Sequence, residues 1–263
     1  MAPIVIREHR HFLIVDKPAG WLVHPTRPDG TYTLIDWLRE NFPGEFLSLV
    51  SRLDRETSGL LLVARGRKNA SLLGKMQQRR EIKKRYLALV HGRPPAAGVI
   101  DQPLDRLGKH RASPIYIRQA VIPGTYPAVT EFKKLETRHH PSHGVISLLE
   151  VFPKTGRLHQ IRAHFEHLGF PILHDKIYGK TDDIFLNYID KGIKNIPETP
   201  RHCLHSSRID FLLSPEQPSK GFGREQSRAV TGAESDLLSC SVQIPLSEDL
   251  EKIWNEAGTV APA

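Results

Sequence analysis

The sequence predicts an α+β fold: a mixed, largely antiparallel central sheet with flanking helices packed on it. Three observations carry this reading. Short runs with strand alternation or continuous apolarity recur from end to end. Stretches with helical spacing lie between them at irregular intervals. Strand and helix never alternate with the regularity of βαβ units. The 263 residues are 39% apolar, enough for a substantial core. No break in composition divides residues 1–263 into independent domains, so one domain is expected.

The elements follow in order. Residues 11–15 (HFLIV) read as a short strand, closed by the turn cluster Asp16-Lys17-Pro18-Ala19-Gly20. Residues 33–41 have helical spacing, with Thr33 as N-cap and Pro43-Gly44 as the stop. Residues 59–64 form a continuous apolar run, the mark of a buried strand. Residues 68–80 set Leu72, Leu73 and Met76 on one helical face and cations on the other. Residues 82–90 switch to a period of two, so Ile82, Lys84, Tyr86, Ala88 and Val90 share a face. Residues 93–144 are rich in Gly, Pro and charge, with a strand expected at 129–135. A strand at 144–152 and a helix at 156–168 follow, the helix stopped by Gly169 and Pro171. Residues 180–200 fit neither pattern. Strands are expected at 204–213 and 239–244 and a helix at 247–257. Between them, residues 214–235 lack apolar periodicity and read as a long exposed loop.

Charge narrows the partner. Lys plus Arg number 37 against 29 Asp plus Glu, a net +8 with histidines neutral. Such an excess concentrates polyanions, of which nucleic acid and anionic membrane are the common ones. No apolar stretch approaches a membrane span and no signal-peptide pattern opens the chain. Nucleic acid is therefore the expected partner, without a membrane, and the cytoplasm the expected location. Cys203 and Cys240 lack CxxC spacing, so neither a zinc knuckle nor a disulfide framework is indicated.

Three places could carry chemistry. Residues 51–59 read SRLDRETSG, with Asp54 between Arg52 and Arg55. An acid flanked by cations can simply cap a turn. It can also be a catalytic carboxylate, because a neighbouring guanidinium favours the ionised form. Tyr86 on a strand face reads as core, yet Lys84 lies two residues away on that face, and an aromatic beside a cation suits base stacking. In residues 156–168, Leu158, Ile161, Phe165 and Leu168 cover one sector, and Arg162 falls at its edge, about 80° from the centre. Arg162 should therefore be partly buried and need an anionic partner. Arg157, in the first turn, competes for that role. Histidines 139, 140, 143, 159, 164 and 167 show no HExxH or equivalent spacing. They read as exposed side chains on a basic surface, and no metal site is expected.

Taken together, these segments resemble the RluA-type pseudouridine synthases. RLDRETSG, IKKRYLALVHG, KTGRLHQIRAHFEHLGFPILHDKIYG and RHCLHSSRIDF follow one another in the family's order and spacing, and LIVDKPAGWLVHP matches its opening strand and turn. The resemblance covers about residues 9–213. It implies the pseudouridine synthase fold with a basic RNA-binding cleft. The implied activity is isomerisation of uridine to pseudouridine within structured RNA, ribosomal or transfer. It implies no cofactor, no metal and no obligatory protein partner. By resemblance Asp54 is the catalytic aspartate, with its target left open: base, ribose carbon, or a proton on the way to a glycal. Tyr86 matches the tyrosine that stacks on the target base and assists proton removal. Arg162 matches the arginine that pairs with the catalytic carboxylate. Arg52 matches one that fills the space left by the flipped base, and Leu204 the apolar wall of the pocket.

Two positions depart from the family pattern. Ser51 stands where histidine is usual, and His174 where glycine usually precedes the aspartate of the string here written FPILHD. Because the resemblance begins near residue 9, the S4-type RNA-binding domain of many relatives is not expected in this chain. RNA affinity is therefore expected from a basic face including Lys68, Lys75, Arg79, Arg80, Lys83 and Lys84. Two rival classes are an inactive RNA-binding protein of the same fold and a metal-dependent nuclease.

Overall fold

A computed structural model describes residues 1–25, 30–190, 200–214 and 238–259. Its centre is an eleven-stranded, largely antiparallel sheet. β1 (Ile4–His9) and β2 (Phe12–Lys17) form a hairpin at one edge. β2 runs antiparallel to β4 (Ser58–Arg65), which also pairs with the short β3 (Leu47–Leu49). The start of β4 pairs in parallel with β11 (Leu204–Leu213), through His205 with Ser58 and Ser206 with Gly59. Beyond β11 come β5 (Lys83–His91), β10 (Gly144–Pro153), β9 (Val129–His140) and β13 (Gly258–Thr259). β6 (Ala97–Asp101) pairs with β9, and β12 (Leu238–Gln243) with β11. A separate two-stranded ribbon joins β7 (Leu104–Arg106) to β8 (Gln119–Val121). The mixed, largely antiparallel α+β architecture is the one the sequence predicts.

Both faces of the sheet are covered, and β4 shows why its sequence is apolar throughout. Leu61 and Val63 join Leu13 and Val15 in a core closed by Leu34 and Leu38 of α1 (Leu34–Asn41), Ile161 and Phe165 of α3 (Gln160–His167), and Leu250 and Trp254 of α5 (Glu248–Glu256). Leu60 and Leu62 point the other way, as alternation requires. They pack with Phe12, Ile14, Ile209 and Phe211 against Leu73 and Met76 of α2 (Arg67–Gln78). At roughly 25 cal/mol per Å² of apolar surface, these two layers supply most of the drive to fold. α1 starts where Thr33 predicts: its N–H and hydroxyl both donate to the Asp36 carboxylate, at 3.1 and 2.6 Å.

The parallel junction explains the glycine of the Thr-Ser-Gly turn. Gly59 has φ +105°, and a Cβ there would lie 2.2 Å from the Ser206 carbonyl oxygen. Only glycine lets β4 and β11 approach this closely.

Several expectations need correction. The helix expected at 156–168 begins at Gln160, because His159 takes a left-handed conformation (φ 52°) and ends the extended approach. Leu158 therefore lies outside the helix and is 42% exposed. The helix has no broad polar face: Gln160, Ile161, Arg162, Ala163, His164 and Phe165 are all buried. Nor are the histidines uniformly exposed. His140, His159 and His164 are buried, and His164 bonds the Thr130 hydroxyl at 2.8 Å and donates to the Gln102 carbonyl at 2.9 Å. The ambiguous stretch at 180–200 contains α4 (Asp182–Asp190), while 191–199 lie outside the described residues. The loop expected at 214–235 also lies, apart from residue 214, outside the described residues.

Candidate active site

Asp54 stands in the segment leading from β3 to β4, and its backbone is pinned on both sides. The Gly20 N–H donates to the Arg55 carbonyl at 2.8 Å, and Arg55 Nε returns a bond to the Gly20 carbonyl at 3.0 Å. The fully buried Lys17 adds three bonds from Nζ, to the carbonyls of Pro18, Trp21 and Arg55, at 2.9, 3.1 and 3.1 Å. On the far side, the Thr57 and Ser58 hydroxyls share hydrogen bonds with His202 Nε2 (2.7 Å) and His205 Nδ1 (2.8 Å). The turn Asp16-Lys17-Pro18-Ala19-Gly20 and the start of β11 thus clamp the segment that presents Asp54.

The cation that meets Asp54 comes from 108 residues away, not from its sequence neighbours. Arg162 Nη1 donates to Asp54 Oδ2 at 2.8 Å. The same guanidinium makes a bidentate pair with Asp175, from Nε to Oδ2 at 2.6 Å and from Nη2 to Oδ1 at 2.9 Å. Asp175 Oδ1 is held further by the N–H groups of Ile177 and Tyr178. The three charges leave one net negative charge. Asp175 has a fully buried side chain, whereas that of Asp54 is 23% exposed. The surplus charge is therefore presented at Asp54. Its Oδ1 makes no hydrogen bond among the described residues.

Burial opposes charge on Asp54, but His159, Arg162 and His202, with the Arg162 hydrogen bond, hold its carboxyl well below the ordinary carboxylate range. His159 Nε2 lies 3.9 Å from Asp54 Oδ2. Burial and Arg162 push the His159 pKa down to about 4. Near neutrality the imidazole is uncharged, and Arg162 is the cation that keeps Asp54 ionised. His159 Nδ1 shares a 3.0 Å hydrogen bond with Tyr178 Oη, and the Tyr178 ring lies 5.1 Å from the Arg162 guanidinium. An ionised carboxylate with one open oxygen, walled by aromatic and apolar groups, can attack an electrophilic carbon or remove a proton.

Tyr86 lies in mid-β5, opposite Ser206 of β11 and Val151 of β10. It is buried. Burial first, and the negative charge of Asp54 second, raise its pKa above the usual phenol range, against a hydrogen bond with Ser206. Tyr86 and Asp54 thus share one electrostatic neighbourhood, and the phenol keeps its proton. Leu204 opens β11, two residues from Ser206, and is buried in the same core as Tyr86. The structure brings Asp54, Arg162, Tyr86 and Leu204 to one end of the parallel junction.

Arg52 is exposed and makes no hydrogen bond or ion pair among the described residues. With burial, its charge lowers the pKa of His24. Arg55, expected to help hold Asp54 ionised, instead bonds the Gly20 carbonyl. Lys68 and Lys75 ride on α2, which packs on the opposite face of the sheet from α3. These two lysines of the expected basic face are therefore divided from the carboxylate site by the sheet itself.

Sequence reasoning passed over Asp175, His159, Tyr178 and Lys17. The signal for Asp175 was present: a buried arginine needs a carboxylate, and FPILHD supplies one thirteen residues on. No local periodicity links those positions. His159 and Tyr178 carry no pattern of their own, and Lys17 reads as ordinary turn chemistry.

A family model described as RNA pseudouridylate synthase matches residues 11–167. An uncharacterized RNA pseudouridine synthase of Chloroflexus aurantiacus is 44% identical over 170 residues, covering 62% of this chain and 51% of that protein. Ribosomal large subunit pseudouridine synthase C of Buchnera aphidicola subsp. Acyrthosiphon pisum is 37% identical, covering 79% of this chain and 62% of its own length. The chain thus spans about half to two-thirds of the length of these relatives. Among solved structures, human RNA Pseudouridylate Synthase Domain Containing 1 superposes with a TM-score of 0.67 over 99% of this chain and 91% of its own, at 23% identity, a likeness of fold. The matched segment is more than half of the 263 residues and runs through Asp54, Tyr86 and Arg162, and on that ground the chain belongs to the RNA pseudouridylate synthase family.

Proposed function

We propose that this protein isomerises uridine to pseudouridine within RNA, with Asp54 as the reacting carboxylate. The observation that carries the proposal is the Asp54–Arg162–Asp175 ladder. Asp175 takes up two donors of Arg162, and Asp54 takes one and keeps an oxygen open. The reaction breaks the bond from base N1 to ribose C1′ and makes one from base C5 to C1′. The C5 proton leaves and N1 gains one, so nothing is oxidised or reduced. The target nucleotide must leave its helix to reach a recessed carboxylate. Tyr86 offers its ring to the extruded base as a stacking partner, since a phenol held protonated is a poor base. Arg162 keeps Asp54 ionised, and Leu204 walls the pocket on the apolar side. Arg52, outside the site, is free to follow the RNA when the base swings out.

Large-subunit ribosomal RNA is the substrate we infer first, because relatives from Buchnera aphidicola and Pseudomonas aeruginosa carry that designation. The test has two arms. Transcripts of ribosomal and transfer RNA are incubated with the protein, and pseudouridine is read as its specific chemical adduct. Cells with and without the protein are mapped for lost pseudouridines. A lost site in large-subunit RNA, restored by the wild-type protein and not by Asp54→Ala, is the expected result. Restoration by Asp54→Ala would overturn the assignment of Asp54.

A further inference from the structure

Beside the carboxylate site lies a second groove, of about 230 Å³, between the β7–β8 ribbon and the approach to α3. Arg106, Lys109, Gln119, Tyr126, Arg157 and Leu158 line it. It is physically joined to the first site. The Gln119 N–H donates to Tyr178 Oη at 3.0 Å, Tyr178 Oη bonds His159 Nδ1 at 3.0 Å, and His159 lies 3.9 Å from Asp54.

Its surface is unusual for a soluble face. Tyr126 is 52% exposed and Leu158 42%, and Tyr116 beside them is 71% exposed. Cations surround the rings: Arg106 stands 4.0 Å from the Tyr116 centroid, and Lys109 and Arg157 stand 5.4 and 5.6 Å from that of Tyr126. Asp105 takes up Lys109 at 2.9 Å and His110 at 3.0 Å. Arg106 and Arg157 meet no carboxylate among the described residues, and Arg157 Nε is steered by the Pro127 carbonyl at 3.1 Å. A larger hollow of about 660 Å³ at the far end of β4 from Asp54 also sets an exposed ring, Phe46, beside Arg67 at 4.6 Å, but its Arg65 is neutralised by Glu8 and Glu45 and it lies away from the carboxylate site. Exposed aromatic rings beside unneutralised guanidinium groups are what an unpaired nucleotide requires, a stacking surface for its base and cations for its phosphates. A paired base cannot reach such a ring.

We infer that this groove holds an unpaired nucleotide flanking the extruded uridine. Its base lies on Tyr126 and Leu158, and its phosphates lie between Arg106 and Arg157. The inference rests on the reading of the Asp54 site as an RNA site, and it adds a specificity element: the target must lie in a loop or bulge.

The test measures binding without turnover. Full-length Asp54→Asn protein is titrated, by fluorescence anisotropy, into a labelled stem–loop with a uridine-rich loop and into a fully paired duplex. Adding Tyr126→Ala should weaken stem–loop binding about tenfold, while Tyr126→Phe should keep it. The double change Arg106→Gln with Arg157→Gln should reduce the slope of log affinity against log salt by about 1.4, the value for two phosphates on a single strand. Duplex affinity should be unchanged throughout. Wild-type stem–loop affinity and slope in the Tyr126→Ala and double-arginine proteins would overturn the inference. So would equal losses on stem–loop and duplex, or binding of an acidic protein, and not RNA, lost in the same variants. Arg157 is exposed and Arg106 half-buried with no carboxylate partner among the described residues, so the double variant remains informative if Tyr126→Ala fails to fold. Failure of the proposed reaction would show instead as no pseudouridine from the wild-type protein, whatever these binding curves do.

Discussion

Arg162 and Arg201 are both largely buried guanidinium groups at the centre of the molecule, and they are used in opposite ways. Arg201 is committed to scaffolding. It bonds the carbonyls of Glu56, His202 and Leu204 through Nη1, the hydroxyls of Ser58 and Ser247 through Nη2, and Asp249 through Nε and Nη2. It stitches the segment after Asp54 to β11 and to the start of α5. Arg162 instead joins two carboxylates, one sealed and one open to solvent. A buried cation that satisfies backbone oxygens serves the fold, and one that leaves a carboxylate oxygen unspent keeps a charged group available. The identity of the partners, and not burial, separates the two.

Substitutions can break or sharpen this contrast. The largest effect is expected from Asp54→Asn, which removes the charge and keeps the shape. Pseudouridine formation should fall on the order of 10³-fold or more, with a smaller loss of stability than Arg201→Met causes, because Arg162 keeps Asp175. A large loss of stability without loss of rate would place Asp54 on the scaffolding side. Next is Arg201→Met. Stranding three carbonyls and the Asp249 partner should cost about 3–5 kcal/mol in denaturant unfolding. The molecules that remain folded should turn over at nearly the wild-type rate.

Arg162→Lys comes third. A point charge cannot serve both carboxylates with the planar fork, so single-turnover rate should drop about 100-fold, or about 2.7 kcal/mol at the barrier. Unfolding free energy should change by less than Arg201→Met changes it. Equal effects at the two arginines would dissolve the comparison.

The smallest effect on rate is expected from pH. His159, His174 and His205 are each held near pKa 4, against 6.5 unfolded, chiefly by burial. Between these values the unfolded chain binds more protons than the native one. Stability should therefore fall as pH drops from 6.5 toward 4, with midpoints from urea titrations as the readout. Asp54, with its pKa depressed, stabilises the fold above the ordinary aspartate value. It loses that contribution only as pH falls through the depressed value. The rate should accordingly show no carboxylate ionisation between pH 5 and 8. A rate that titrates there with the pKa of Asp54 would contradict the ladder.

Much of the scaffold was legible in the sequence. The Thr33 cap, the apolar run through β4 and the Leu73 and Met76 stripe of α2 are local signals, and local physics decided them. The single face expected for Ile82, Lys84, Tyr86, Ala88 and Val90 did not form: Ile82 packs in the layer under α2 and Tyr86, Ala88 and Val90 in the other, because the register against β11 shifts between Ser206 and Arg208. β1 was missed because an edge strand alternates exposed with half-buried residues and lacks a continuous apolar face. β6, β7 and β8 were missed because strands of three to five residues fall below any periodicity. The start of α3 was misplaced by a left-handed histidine that no propensity anticipates. The departure at His174 has a backbone reason: its φ of 61° is one that glycine adopts freely, and here histidine adopts it while sharing a 3.1 Å hydrogen bond with His143. Asp54 and Arg162 were singled out from their own segments, and only the family resemblance paired them. Asp175, the second partner of Arg162, was not, because only the folded loop brings it to the guanidinium.

The parallel contact between β4 and β11 carries a consequence for how the molecule comes into being. The strand that presents Asp54 is made early, yet the histidines that lock its flanking hydroxyls lie about 145 positions later in the chain. A polypeptide leaving the ribosome has its acid long before it has the rigid frame around it. Until the β11 segment emerges and docks, Asp54 stands on a loose tether with half its clamp missing. The frame around Asp54 is thus complete only once the β11 segment has emerged and docked.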